Sequence, residues 1–255
     1  HFLSTAIGLT HYGASATNMR IMSFDDTHLT HALAAIKKSE RIGIALPKEP
    51  NLDSIASAEV MVRALTTLGK QVGFITARPN EARSPMPHSA LFASIAQWPT
   101  LAKELILLVD ESSAPVSQIR YHKESQHLRI ILTPQSRAVI QESVSFSEGA
   151  ITCDTALFLG IPSLESMKDT LSAPIEFFSQ ITTINIDTSP ENAEYANHNL
   201  IVHHAESLSE LTYTFLRAMP SSITIPAQSA TLLLAGLMQR TNTFRKREIL
   251  PESYG

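Results

Sequence analysis

A single cysteine, Cys153, is all the thiol chemistry the chain has. One thiol cannot close an intramolecular disulfide, and no CxxC pair exists to hold zinc. Long apolar runs are missing as well. Nothing approaches the ~18 residues that a membrane span needs, which excludes an integral membrane protein and makes the cytoplasm the expected compartment. No charge of one sign dominates either. Lys and Arg total 20 against 24 Asp and Glu, for a net charge of −4 and a pI near 6.2. A mildly acidic chain is not a general duplex-DNA binder, although local basic clusters stay open. GxGxxG, Walker A, HExxH and GxSxG motifs are all absent, as are internal repeats and low-complexity segments. The first methionine is Met19. Before it, HFLSTAIGLTHYGASA (1–16) has no basic residue and no helical stripe. Its small-residue end resembles a trimmed signal peptide, but no cationic region precedes it, so residues 1–25 read as a poorly specified N-terminal extension.

What is present is ordinary for a folded chain: 255 residues, 44% hydrophobic and 17% charged. That length suits one large domain or two small ones and rules out global disorder. Asp26 can cap a helix in which Leu29, Ala32, Leu33 and Ile36 recur at helical spacing. RIGIAL (41–46) reads as a buried strand. Ile55, Ala58, Val62 and Leu65 mark one face of a second helix, which Gly69 can end, and QVGFI (71–75) is the next strand. Strand, helix, strand in this short space is a βαβ unit, hence a parallel sheet with a right-handed crossover.

A Pro-rich loop (78–89) follows, then an apolar strand ELILLV (104–109) ending at Asp110. Two β-rich segments around 117–122 and 128–133 form an antiparallel hairpin. Ala156–Leu159 and Thr183–Ile186 are further buried strands, and helices cover 208–218 and 226–238. The expected fold is therefore α/β: a parallel sheet flanked by helices over residues 26–250, with a β-hairpin insertion at about 115–135.

Ligands in open parallel sheets bind outside the carboxyl ends of the strands. That rule points to Pro47–Asp53, Asp110, Gly160–Pro162 and Asp187–Pro190. Its aspartates, Asp53, Asp110 and Asp187, are equally suited to capping turns and helices.

Four segments in order carry a family resemblance: IGIALPKEPNLDSIASAEVMVRALTTLGKQVGFI, VSFSEGAITCDTALFLGIPSLESM, FFSQITTINIDTSPENAEYANHNLI and LLLAGLMQRTNTF. Together they resemble the DHH phosphoesterase family over residues 40–245. The resemblance implies a DHH-like N-terminal α/β domain. It also implies two Mn²⁺ or Mg²⁺ ions held by Asp and His, with a metal-activated water attacking a phosphoester. Most of those ligands are replaced here. The first-motif His falls on Pro47 and the first Asp on Asn51, and only Asp53 survives. The second-motif Asp falls on Gly160. Asp-His-His becomes Asp187-Thr188-Ser189, and the last acid falls on Arg240. Two ions need several anionic oxygens to offset their charge, so no metal centre is expected; Asp53 and Asp187 are the ligands if any survive.

The expectation is a catalytically silent binding or assembly module. In it Arg240 bridges Asp53 and Asp187 in place of the metals, and Ser54 and Arg240 can hold an anion. Its partners would be a nucleotide or short nucleic acid, a second copy or an assembly partner, and no membrane. One alternative is a Mn- or Mg-dependent phosphoesterase acting on short oligonucleotides or nucleotide phosphates. Another is a structural subunit whose contact surface is the hairpin at 117–133. His198, His203 and His204 read as surface histidines, since adjacent strand residues point to opposite faces. Ser189 reads as a turn cap. The run Arg245-Lys246-Arg247 reads as a solvated helix end. The small C-terminal substrate-binding domain common in the family is expected to be absent.

Overall fold

The computed structural model describes residues 24–76, 99, 101–112, 114–137, 139, 141–219 and 223–243. Nearly all of the N-terminal extension, the Pro-rich loop at 78–89 and the basic run at 245–247 lie outside them. The chain divides into two compact units, residues 1–101 with 153–255, and residues 102–152.

In the first unit, Asp25 opens helix α1 (Asp26–Lys38) by accepting the N–H groups of Thr27 and His28, while Lys37 and Lys38 sit at the electronegative C-terminal end. Strand β1 (Arg41–Ala45) leads to α2 (Leu52–Thr67) and then to β2 (Gln71–Phe74), which pairs parallel to β1. Gly69, at φ 78°, ends α2 in the left-handed conformation that glycine adopts without steric cost. The chain returns as β7 (Thr155–Leu159) on the other side of β1. The short helix α3 (Ile175–Phe178), β8 (Thr182–Asp187) and β9 (His198–Ile201) follow. All five strands are parallel, in the order β2-β1-β7-β8-β9. Helices α4 (Leu208–Ala218) and α5 (Ala227–Arg240) complete the unit. The α/β class and parallel sheet anticipated above are what the structure has.

Ile42, Ile44, Leu157, Leu159, Ile184 and Ile186 lie on one face of the sheet, and α1, α2, α4 and α5 bury them. Eleven of the sixteen residues of α2 are buried. That is too many for one contact stripe, and the reason is that α2 has neighbours on two sides: the sheet, and the pair α4 and α5. Its run of small residues, Ala56, Ser57 and Ala58, leaves room for that double contact. Helix α5 runs antiparallel to α2, since Arg63 donates to Gln228 while the opposite end, Gly236, lies against Asp53. The other sheet face carries Phe158, stacked edge-on against Phe178 and Tyr195 at 5.5 Å between ring centroids.

The second unit consists of two antiparallel pairs. Strand β3 (Lys103–Val109) pairs with β6 (Val144–Ile151), and β4 (Val116–Lys123) pairs with β5 (Leu128–Pro134). The second pair is the hairpin read from the sequence. The first is a correction: ELILLV is not a buried strand of the parallel sheet but half of a ribbon with largely exposed side chains. An apolar run says that a strand forms, not which strand it joins. The excursion accordingly spans 102–152, wider than the hairpin alone.

Candidate functional site

The sheet order reverses between β1 and β7, and at such a switch point the crevice opens beyond the carboxyl ends of the strands. A cleft of about 350 Å³ lies there, lined by Pro47, Lys48 and Glu49 after β1 and by Ile161, Pro162, Ser166 and Met167 after β7. Its size suits a small molecule. Pro47–Glu49 and Ile161–Pro162 fall inside the segments that strand position singled out. Ser166 and Met167 do not. They belong to a single 3-10 turn, Glu165–Met167, whose only signal in the sequence is that it follows Pro162 closely.

Gly160 ends β7 at φ 67°, a backbone conformation that a side chain would strain, and its N–H donates to the Ile186 carbonyl. A Cβ at this position would touch Leu208, the first residue of α4, at 3.3 Å.

Asp53 stands in the first turn of α2 and is buried. Its Oδ2 accepts the Leu208 N–H at 2.8 Å, and its Oδ1 accepts the Ser209 N–H at 2.8 Å and the Ser209 hydroxyl. The carboxylate therefore lies at the positive ends of two helices at once, its own and α4. Helix α4 has its ordinary cap as well: Ser207 accepts from Glu210 N–H, and Glu210 in turn accepts from Glu206 N–H. Burial pushes the Glu210 carboxyl up from its usual range; the Glu206 N–H bond and His204 oppose that rise, and the charges of Glu206 and Asp53 add to it.

Asp187 ends β8, also buried. Its Oδ1 accepts the N–H groups of Thr188 at 2.7 Å and Ser189 at 3.2 Å, and its Oδ2 accepts the Asn192 amide at 2.7 Å. Thr188 and Ser189 thus serve Asp187 through their backbone, and the Ser189 hydroxyl accepts from Glu191 N–H. Tyr195 donates to the Ile161 carbonyl at 3.0 Å; burial and the nearby Asp187 charge hold its phenol strongly protonated.

Three sequence expectations change here. Arg240 does not join the two carboxylates. It is exposed at the C-terminal end of α5, and among the described residues no ion pair links it to Asp53 or Asp187. The residue of α5 that faces Asp53 is Gly236, one turn earlier. A Cβ there would collide with the Ser209 hydroxyl and lie 3.0 Å from Asp53 Cα, so the helix contact leaves no room for a guanidinium. Ser54 offers nothing to an anion, because its N–H and its hydroxyl both donate to Asn51, which caps α2. Asp110 lies in the second unit, exposed, in a turn where it accepts the Ser112 N–H. That bond holds its carboxyl below the usual range.

Among the described residues, no group of three or more His, Cys, Asp or Glu could hold an ion. Asp53 and Asp187 already accept three hydrogen bonds each, and among the described residues neither belongs to a group of three or more His, Cys, Asp or Glu. This donor set does not fit two divalent ions. His203 and His204 are exposed, with His203 Nδ1 at 3.1 Å from the Ser189 carbonyl. His198 lies elsewhere, in a seam between β9 and α1, its ring centroid 5.7 Å from that of His31 and 6.5 Å from that of His28. Among the described residues, no helix is long and apolar enough to cross a membrane.

A parallel α/β sheet with a crevice at its switch point defines the class. Within that class, the structure is similar to a solved exopolyphosphatase-related protein from Bacteroides fragilis, with a TM-score of 0.54 and 15% identity. The match covers 93% of this chain and 56% of that one, so the chain spans just over half the length of its neighbour and shares its fold. No family model and no curated protein matches the sequence.

Proposed function

We propose that this phosphoesterase-like fold serves as a metal-free binding module, taking a small phosphate-bearing molecule such as a nucleotide in the cleft beside Lys48. The observation that carries this reading is the hydrogen bonding of Asp53. A metal-binding carboxylate keeps lone pairs directed at the ion, whereas both Asp53 oxygens are turned to the N-terminus of α4. Backbone N–H groups neutralise the acid where a cation would otherwise do so. The cleft supplies an apolar floor from Ile161 and Met167 and, exposed at its edge, Lys48 next to Glu49. A nucleotide would set its base on that floor and its phosphate against Lys48, with Glu49 limiting how much anionic charge the cleft takes.

Thermal unfolding tests the reading, run separately with Mn²⁺, inorganic phosphate and ADP. A ligand at about 100 times its Kd adds about 2.7 kcal/mol to the native state. The expected result is no shift with Mn²⁺, a rise of several degrees with ADP, and loss of that rise in Lys48→Ala. A Mn²⁺-dependent rise with turnover of bis(p-nitrophenyl) phosphate would overturn it in favour of the metal-dependent phosphoesterase. No shift with any of the three would overturn it in favour of a structural subunit.

A further inference from the structure

The cleft wall that follows β7 is tied from behind by β8 and by the connection from β8 to β9. Ile161 and Pro162 line the cleft, while the Ile161 carbonyl accepts from three side chains: Tyr195 Oη at 3.0 Å, Asn185 Nδ2 at 3.1 Å and Asn192 Nδ2 at 3.4 Å. A carbonyl oxygen has two lone pairs, so three donors are more than its satisfaction requires. The next carbonyl, that of Pro162, accepts the Ala193 N–H at 2.9 Å. Asn192 is the centre of this network. Its Nδ2 also donates to Asp187 Oδ2 at 2.7 Å, and its Oδ1 accepts from Glu194 N–H at 2.8 Å and from Asn185 Nδ2 at 3.3 Å. Glu194 stands at φ 49°, a conformation that persists in a residue with a side chain only where its surroundings impose it. The sheet has no need of these bonds, because β7 and β8 already pair through their backbones as far as Leu159 and Ile186.

We infer that Asn192 is a positioning residue for the cleft: anchored on the Asp187 carboxylate, it sets the place of Ile161 and Pro162, on which a ligand rests. Asp187 then serves the cleft through Asn192 without touching a ligand. Tyr195 supports the same carbonyl; its ring is braced edge-on by Phe158 at 5.5 Å, and burial keeps its phenol protonated and able to donate. Ile161 also precedes a proline, which confines its backbone to extended conformations. Fixing its carbonyl therefore fixes the wall. The ligand side of this inference rests on the nucleotide reading above, and the wall side does not.

The test is Asn192→Asp in the full chain, read by amide hydrogen exchange and by ADP titration calorimetry at pH 7 and pH 5. An ionised carboxyl at this place cannot donate to Asp187 and is repelled by it, whereas a protonated one donates again. At pH 7 the Ala193 amide should lose roughly tenfold in protection and ADP should bind about tenfold more weakly, the worth of one hydrogen bond. At pH 5 both should move back toward the parent. The parent at each pH is the control for the other titrating groups of this loop, Glu191, Glu194 and His203, whose Nδ1 lies 3.1 Å from the Ser189 carbonyl. Tyr195→Phe is a milder second variant, which keeps the ring contact, removes one donor and should lower the same protection about threefold. If circular dichroism finds Asn192→Asp unfolded, Tyr195→Phe decides alone. Loss with acid rescue supports the proposal. Unchanged Ala193 protection in both variants overturns it, and so does a loss that acid does not reverse, which would mean a packing fault. Protection lost with ADP affinity intact overturns it as well. A parent that binds no ADP sinks the nucleotide reading, while protection that is lost and then rescued by acid still upholds Asn192 as the residue that sets the wall.

Discussion

The two units use strands of similar apolarity to opposite ends. In β7, Thr-Ala-Leu-Phe-Leu is buried throughout, whereas in β3 the run Leu-Ile-Leu-Leu is largely exposed. Connections make the difference. In the first unit the link between parallel strands β1 and β2 is the helix α2, and that crossover brings the layer that covers the sheet. In the second, β4 and β5 are joined by a turn, which adds no layer. A strand's composition sets its need for cover, but the chain between strands decides whether cover arrives.

The contrast can be broken most strongly in the core. Phe215 is fully buried, edge-on to Phe24 with ring centroids 6.5 Å apart. Phe215→Ala should cost about 3–5 kcal/mol in urea unfolding. Phe146→Ala in the ribbon should stay within about 0.5 kcal/mol. Equal losses would mean that the ribbon has a core of its own.

The acids sharpen the same comparison. Asp53→Ala leaves the Leu208 and Ser209 N–H groups buried without acceptors, a loss of about 2–3 kcal/mol. Asp110→Ala removes one exposed turn contact and should leave the unfolding midpoint where it is. Gly236→Ala drives a methyl into the Ser209 hydroxyl and the α2 backbone, for about 1–3 kcal/mol by overpacking. If Gly236→Ala were neutral, α5 would not be packed on Asp53 as described.

The smallest effect concerns pH. Burial lowers His198 from its ordinary 6.5, and the charges of His31 and His28 act in the same direction. The folded chain therefore binds protons less readily than the unfolded chain. This contribution is intact above pH 6.5 and is lost as pH falls through the lowered value. The melting temperature should drop between pH 7 and 5, and His198→Gln should flatten that slope.

Much of the first unit was legible. Gly69 marks the end of α2, and four of the five parallel strands stand out as short apolar runs. The cap of α1 is Asp25, one residue before the Asp26 read from the sequence, and the Asn51 cap of α2 was not seen. β9 was not seen, because His-Asn-Leu-Ile is a four-residue edge with two polar members. β6 was hidden by Ser145, Ser147 and Gly149, which dilute its apolar pattern. The site was half legible. Asp53 and Asp187 follow from the motif and strand ends, but the partners of Asp53 are backbone N–H groups 155 and 156 residues away, and a backbone donor leaves no mark in a sequence. Arg240 drew attention because it stands where the resemblance places the last metal-binding acid. Gly236, the residue that makes the contact, does so by having no side chain.

The junction of the ribbon unit bears on how the chain folds. Thr152 donates its hydroxyl and its N–H to the Ala102 carbonyl, 50 residues earlier. Around that pinch, Arg41 and Asp154 must meet across 113 residues to bring β1 and β7 together. If the pinch closes first, it removes the excursion from the loop, and the entropy of that encounter falls by about 0.5 kcal/mol. The central strands of the sheet then find each other roughly twofold faster, so residues outside the core set the pace at which the core assembles.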